Sequence, residues 1–473
     1  MADSTPGRIQ SLLGCRHPLV LAGMGGVARS ELVAAVSEAG GFGFLGMVRE
    51  PPALIRREVD ALRRRGIERF GVNIIPAATD RLLLDQQVDT LLELDVPVVA
   101  LFWDLDAPLV RRFTDAGVRV VYQVGSAPEA KAAQDAGASA IIAQGREAGG
   151  HVRGTIPLAR LLPEVIATVD LPVLAAGGLA TGGDLVAATA LGADGIVLGT
   201  ALMAAEESFA HQYHKHRLVL ATAADTLLTE TFHINWPIGA SVRVLASAVT
   251  AGERGPDTPG RRVVIGEEEG RPIYLFSTDS PLRSMTGDFE AMALYAGTGV
   301  GSIDAIRPAA RIIETLLADA RIVPIGAEAA RDAATELASP VCYIGEMSGT
   351  YVGQLEAGEI ADEMTQLLSE LRALLRDLAR REAATANTPP FGPRSIDLAR
   401  RLAGLSAAWP QASAAAAAQP DAGDARTALL ERLARFIPQL PDNDLRTGLG
   451  ELRAWIDANA DQPQPQAQTH ELA

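Results

Sequence analysis

Residues 172–200 read Pro-Val-Leu-Ala-Ala-Gly-Gly-Leu-Ala-Thr-Gly-Gly-Asp-Leu-Val-Ala-Ala-Thr-Ala-Leu-Gly-Ala-Asp-Gly-Ile-Val-Leu-Gly-Thr. Two short apolar runs, each closing on glycine, flank one stretch of helical period from Gly183 to Leu191. Neither run alternates apolar with polar residues, the pattern of a strand covered on both faces in a parallel sheet. The unit is therefore strand, helix, strand.

The same rhythm reaches back to Pro18. Apolar runs lie at Pro18–Met24, Phe42–Val48, Phe70–Pro76, Val96–Asp104, Arg119–Gly125 and Ser139–Gly145, ahead of Pro172–Gly178 and Asp194–Thr200. Segments of helical period separate them, among them Ser30–Ala39, Arg81–Asp95 and Pro128–Ala136. Pro128 suits a first helical turn, and the pairs Ala39-Gly40, Ala116-Gly117 and Ala136-Gly137 read as helix ends. Eight such units predict a (β/α)8 TIM barrel over residues 1–210, because eight is the number at which a parallel sheet closes. A doubly wound open sheet is the competing arrangement.

Beyond Ser208 the rhythm stops. Residues 211–320 are expected to form a smaller α-rich domain that caps the barrel and returns to it, with a Gly/Pro-rich excursion at Gly252–Pro272. Residues 321–460 read as a helical C-terminal extension, and 461–473 as a disordered Pro/Gln tail. Ile360, Met364, Leu367, Leu371, Leu374 and Leu378 form a short heptad stripe. It suits a helix packed on its own domain, or a surface for a second copy or another protein.

Composition narrows the function. The chain has 473 residues, 48% of them hydrophobic, with 42 Lys plus Arg against 58 Asp plus Glu for a net charge of −16. Its only lysines are Lys131 and Lys215, and no basic block offers a nucleic-acid footprint. Two cysteines, Cys15 and Cys342, cannot build a disulfide framework and fit a reducing cytoplasm. Met1–Gln10 lacks a signal-peptide pattern, and the uncharged stretch Leu402–Pro420 is Ala/Ser/Gln-rich and holds two prolines, so no membrane anchor is expected.

Barrel chemistry sits where strands end. The first end gives Ala22-Gly-Met-Gly-Gly26, where backbone can approach a flat ring or a phosphate. The third and fifth carry the carboxamides of Asn73 and Gln123, as ligands or as loop caps. The sixth runs Gln144-Gly-Arg-Glu-Ala-Gly-Gly-His151: a histidine after two glycines, either facing a cofactor laid against bare backbone or solvated in a loop. The seventh and eighth supply Gly177, Gly178, Gly199 and the Thr200 hydroxyl, the residue types of a phosphate cradle or simply of tight turns. A mononucleotide such as FMN fits one cradle. No dinucleotide fingerprint follows. His211-Gln-Tyr-His-Lys-His216 has the look of a metal cluster but lacks a cysteine, and is read as a surface helix; no metal is expected. His233, beside Asn235 and Trp236, is read as idle, the alternative being a place in the second domain near the pocket.

Taken together, Gly23-Met24, Ala39-Gly-Gly-Phe42, Gly71-Val-Asn73, the Gln144–His151 segment, Ala175-Ala-Gly-Gly178 and Leu198-Gly-Thr200 resemble the nitronate monooxygenases, formerly 2-nitropropane dioxygenases. Tyr295-Ala-Gly-Thr-Gly-Val-Gly-Ser302 and Ile306-Arg-Pro-Ala-Ala310 are similar to that family's closing segment. The resemblance spans about Gly14 to Ala320 and implies an FMN-dependent oxidation of alkyl nitronates, or nitroalkanes, by O2 to a carbonyl compound and nitrite. It implies that Met24, Asn73, Gln144, Gly149, Gly150, Gly177, Gly178, Gly199 and Thr200 hold FMN, with Gln123 at the margin of the set. It gives the catalytic role to His151, as the base toward a nitroalkane. Where family members often continue with a short Arg/Gly turn, this chain has Val152-Arg153-Gly154.

Rival readings share the barrel. An FMN-dependent enoyl-acyl-carrier-protein reductase or a nicotinamide:quinone reductase would need a nicotinamide site, and the first a basic patch. An inosine-monophosphate-dehydrogenase type would need a cysteine after the sixth strand, which is missing. From another class comes a non-catalytic flavin-binding scaffold for a partner.

Overall fold

The structure, a computed structural model, describes residues 6–237, 239–257 and 262–322; the heptad stripe, Cys342 and the C-terminal tail lie outside the described residues. Eight parallel strands close into a barrel: β1 (Leu19–Leu21), β2 (Phe42–Gly46), β3 (Gly71–Ile74), β4 (Val98–Phe102), β5 (Arg119–Val124), β6 (Ala140–Gln144), β7 (Val173–Ala176) and β8 (Gly195–Leu198). Strand β8 pairs back onto β1, with Leu19 opposite Ile196 and Leu21 opposite Leu198. Closure leaves no edge strand and rules out the open sheet.

Side chains show why the strands lack alternation. Val20, Val98, Ala100, Val121, Ile142, Leu174 and Val197 fill the barrel interior. Their neighbours Leu19, Leu21, Val99, Leu101, Val120, Ile141 and Val173 pack outward under the helices. Both faces are dry, so both are apolar. Gly71 is part of this packing, since a Cβ there would lie 2.3 Å from the Phe44 ring.

The helices start and stop at their capping residues. Asp80 accepts from the Leu82 and Leu83 amides. Ser126 accepts from Glu129 N–H ahead of Pro128 in the first turn. Thr181 and Asp184 form a capping box. Gly40, Gly117 and Gly137 follow the helices at φ of 94°, 80° and 107°.

After β8 comes only a four-residue helix, Thr200–Met203. The helix Ala309–Ile322 lies against both Ser30–Glu38 and Gly182–Ala190, completing the outer ring. That contact needs Gly182, where a Cβ would sit 2.3 Å from Ala320 N and 2.4 Å from the Leu316 carbonyl.

Between β8 and that last helix, the expectation of an α-rich segment is corrected. The helix Gln212–Leu220 is joined by five short strands, Thr226–Thr229, Val242–Leu245, Val264–Glu268, Arg271–Tyr274 and Met285–Gly287. They form two three-stranded sheets, one of which takes Gly150–His151 as its third member. Each strand is only three to five residues long, and all but Val242–Leu245 are mostly exposed or half-exposed, so none carries a readable alternation.

The helix Gln212–Leu220 is not a surface helix either. His214 and Lys215 are fully buried. Lys215 Nζ donates to the carbonyls of Ala205, Glu206 and Ser208 at 2.7, 3.1 and 2.8 Å. Among the described residues no group of three or more metal-ligating side chains occurs. No described helix is long and apolar enough to cross a membrane.

Candidate active site

Every strand end singled out in the sequence opens at one mouth of the barrel, because all eight strands are parallel. Asn73, on β3, is 7% exposed; its Nδ2 donates to the Ala100 carbonyl at 3.2 Å while its Oδ1 is buried without a partner. Gly23 lies directly against it, with a Cβ there only 2.2 Å from Asn73 Cβ. The Met24 carbonyl accepts from Val27 and Ala28 and presses on Gly46. Met24 Sδ would lie 3.9 Å from a Cβ on Gly199. Gln123 is half-buried at the end of β5, in register with Phe102.

His151 follows β6 through a loop with several internal ties. Gly150–His151 pairs antiparallel with Val242–Leu245, Val242 opposite His151, and Val152 N–H donates to the Ser241 carbonyl at 3.0 Å. From below, Gln144 Nε2 donates to the His151 carbonyl at 2.9 Å, and its Oε1 accepts from Arg153 N–H at 3.2 Å. Gln144 thus sets the histidine loop and keeps one N–H for anything bound at the mouth.

The imidazole stacks on Trp236, centroids 3.3 Å apart at 26°, and tilts against Tyr295 at 5.5 Å. His151 Nε2 is buried with no hydrogen-bond partner among the described residues. Burial, and then the positive charge of Arg49, push its pKa down to about 3, so the ring is neutral at physiological pH. Tyr295 Oη donates to the Thr278 carbonyl at 2.7 Å, and burial raises its pKa, leaving it neutral too.

The glycines divide into two kinds. Gly149 is a packing glycine: a Cβ would come 2.4 Å from Gly297 N and 2.7 Å from the Ala296 carbonyl carbon. Gly178, at φ 75°, is crossed by Gly299, whose Cβ would meet its carbonyl oxygen at 2.3 Å. By contrast, Gly199 has only ordinary contacts at 3.8 Å or beyond, and Gly150 only Tyr295 Cγ at 4.0 Å. Thr200 Oγ1 accepts from Gly297 N–H at 3.0 Å, and Thr298 N–H donates to the Glu147 carbonyl. The segment 295–302 is therefore laced across the ends of β6, β7 and β8. Among the described residues, the backbone amides of Gly177, Gly178, Gly199 and Thr200 find no protein acceptor.

Arg153 is structural. It pairs with Asp104 and Glu129, both at 2.9 Å, and lies over the Trp103 ring. His233 turns away from the mouth, its Nε2 3.0 Å from Asp257 and Nδ1 3.1 Å from the Thr231 carbonyl. Sequence reasoning missed Trp103 and Trp236, which meet edge to face at 5.3 Å beside His151. Their rarity in a chain with four tryptophans was the one signal available.

A family profile described as nitronate monooxygenase matches residues 7–83 and 77–319. The chain belongs to the nitronate monooxygenase family. The matched residues take in all eight strand ends and stop inside the helix Ala309–Ile322. Within reach of this family, the chain is 33% identical to nitroalkane oxidase from Streptomyces ansochromogenes, with 66% of this chain and 99% of that one covered at a TM-score of 0.54. It is 30% identical to FabK from Thermotoga maritima, with 67% and 97% covered at a TM-score of 0.56. It is also 35% identical, over 221 residues, to (3aS,4S,5R,7aS)-5-hydroxy-7a-methyl-1-oxo-octahydro-1H-indene-4-carboxyl-CoA dehydrogenase of Rhodococcus jostii. That last match spans 47% of this chain and 62% of the relative's length.

Proposed function

We propose that the protein is an FMN-dependent oxidoreductase that oxidises alkyl nitronates, and the nitroalkanes they come from, with O2 to a carbonyl compound and nitrite. The observation that carries the reading is His151: a neutral imidazole held at the barrel mouth, its Nε2 buried and free of any partner among the described residues. The neutral imidazole is the form that accepts the α-proton of a nitroalkane; burial makes it a weaker base, and the anionic nitronate formed beside it offsets that by favouring the imidazolium.

The residues present suit FMN on two counts. Four backbone amides, of Gly177, Gly178, Gly199 and Thr200 at the ends of β7 and β8, have no protein acceptor among the described residues, as a phosphate site requires. Asn73 Oδ1 is buried and lacks a donor, and the N–H of a flavin ring would supply one. Met24, Gln123, Gly150 and the second N–H of Gln144 would line the ring. Gly149 serves the same end indirectly, by letting 295–302 close over the turns. When bound, the flavin supplies the electron-transfer chemistry with nitronate and O2.

The chain's own residues do the rest. His151 removes the α-proton at Nε2, and the electron pair of the broken C–H bond becomes the C=N bond of the nitronate. Gln144 and the paired strand at Val242 hold the imidazole at that station. Phe102, Trp103, Trp236 and Ile75 form an apolar cluster that excludes water from the reacting carbon.

A second reading, a nicotinamide-dependent flavin reductase acting on an acyl thioester, draws support from the comparable likeness to FabK and from that apolar cluster. Nitrite release from propionate 3-nitronate and nitroethane, with and without nicotinamide, tests the first. Rapid bleaching of the flavin by NADH or NADPH under argon, with no nitrite in air, would replace it by the second.

A further inference from the structure

Three buried polar atoms at the mouth have no partner among the described residues: Asn73 Oδ1, His151 Nε2 and Trp236 Nε1. The first two have work in the reading above. The indole N–H does not. Unpaired buried donors are uncommon in folded proteins, and each points to a group still to come.

Trp236 is 8% exposed and held from several sides. Its ring lies between the His151 imidazole, 3.3 Å away, and the Trp103 ring, edge-on at 5.3 Å. Its backbone N–H donates to the His233 carbonyl. Asn235 before it is left-handed, φ 72°, and its carbonyl accepts from Arg49 Nη1 at 3.2 Å. The segment that carries it leads into Val242–Leu245, the strand that pairs with Gly150–His151. Packing alone would be met by phenylalanine. The nitrogen is the chemical surplus, and it belongs to the ring that covers the base.

We propose that Trp236 contacts the substrate: its Nε1–H donates to one oxygen of a planar oxyanion whose carbon faces His151, with an apolar tail lying along Ile75, Phe102 and Ala240. The assignment rests on the reading of His151 as the base. Once His151 has taken the α-proton, both stacked rings present an N–H to the nitro group, whose two oxygens now share the negative charge. The indole face also favours the imidazolium it covers. The preferred ligand is thus an anionic nitronate, enolate or carboxylate carrying an alkyl or aryl chain, ahead of its neutral counterpart.

Butyrate is a planar oxyanion that cannot be oxidised here, and butyramide is its neutral match. In the flavin-loaded full chain with 15N-labelled tryptophan, the Trp236 indole signal is the one missing from Trp236→Phe. Butyrate is expected to move that signal downfield to saturation, and butyramide to move it far less. Trp236→Phe, which keeps the stack and removes the N–H, is expected to bind butyrate about ten-fold more weakly, the worth of one charge-assisted hydrogen bond, with butyramide unchanged. An indole signal that stays put at saturating butyrate, or an unchanged butyrate Kd in Trp236→Phe, overturns the proposal. If Trp236→Phe does not fold, its signal is assigned by elimination from Trp103→Phe, Trp409→Phe and Trp455→Phe, and the wild-type titration still decides. It is also independent of turnover: nitrite release with a motionless indole sinks this inference alone, whereas a moving indole without nitrite sinks the nitronate reading alone.

Discussion

The side chain of Gln144 donates to the carbonyl of His151 across 2.9 Å, so the last residue of a barrel strand holds the residue proposed as the base. The same amide accepts from Arg153 N–H on the far side of the histidine. The rigid sheet is thereby coupled to a loop that would otherwise rest on a two-residue strand. A loop so tied keeps Nε2 in place without any side-chain bond to the imidazole.

Replacing that amide separates positioning from chemistry. Gln144→Leu is expected to lower kcat on nitroethane by roughly ten- to a hundred-fold, from two lost hydrogen bonds of about 1 kcal/mol each. Gln144→Glu keeps the acceptor for Arg153 and should recover part of the loss. Steady-state kinetics with flavin content measured on each variant checks this; a loss that tracks flavin content instead would make Gln144 a cofactor ligand only.

His151→Asn removes the base. Turnover of neutral nitroethane is expected to fall by about 10²–10⁴-fold, the usual contribution of a positioned general base. Turnover of pre-ionised ethyl nitronate should fall much less, since its proton is already gone. Parallel assays on the two forms, at equal flavin loading, decide the matter; equal losses on both would remove the proton-transfer role.

The join between the last helix and the barrel depends on one missing side chain. Gly182→Val would push a Cβ into the space of Ala320 N and Leu316 O, both within 2.4 Å. Destabilisation of about 1–3 kcal/mol is expected, as for overpacking elsewhere. Chemical denaturation against a Gly301→Ala control reads it, because a Cβ at Gly301 meets nothing nearer than 3.7 Å and its φ is not left-handed.

Acid should weaken the fold through His214. It is fully buried between the Tyr295 carbonyl, 3.0 Å from Nε2, and Ser280 Oγ, and burial lowers its pKa from 6.5 to about 4. Between those values the unfolded chain binds a proton that the folded chain refuses, so stability falls as pH drops from about 6.5 toward 4. The loss reaches on the order of 3 kcal/mol, with His151 adding in the same direction in the flavin-free protein. Urea midpoints at pH 7.5, 6 and 5 test it; a flat profile, or one that His214→Asn does not flatten, would contradict the buried neutral imidazole.

Much of the barrel was legible because its signals are local and repeated. Pro128, Gly40, Gly117 and Gly137 sit at the helix ends where capping chemistry puts them. The runs without alternation became strands with Val20 or Ala100 inside and Leu19 or Val99 outside. The segment 211–320 was misread as α-rich because strands such as Val264–Glu268 and Arg271–Tyr274 are too short and too exposed to carry a period. Lys215 was placed on a surface because its charge gives no hint that three carbonyls await it.

Residue order along the chain determined the eight-unit barrel, the glycine turns and the Glu-Ala-Gly-Gly-His segment, since each rests on neighbours within a few positions. Tertiary structure alone decided which glycines make room for backbone and which leave open space, and brought Trp236 onto His151. Those relationships join residues far apart in sequence through strand pairing and close packing, and no local pattern of residue types encodes which distant surface a given side chain will meet.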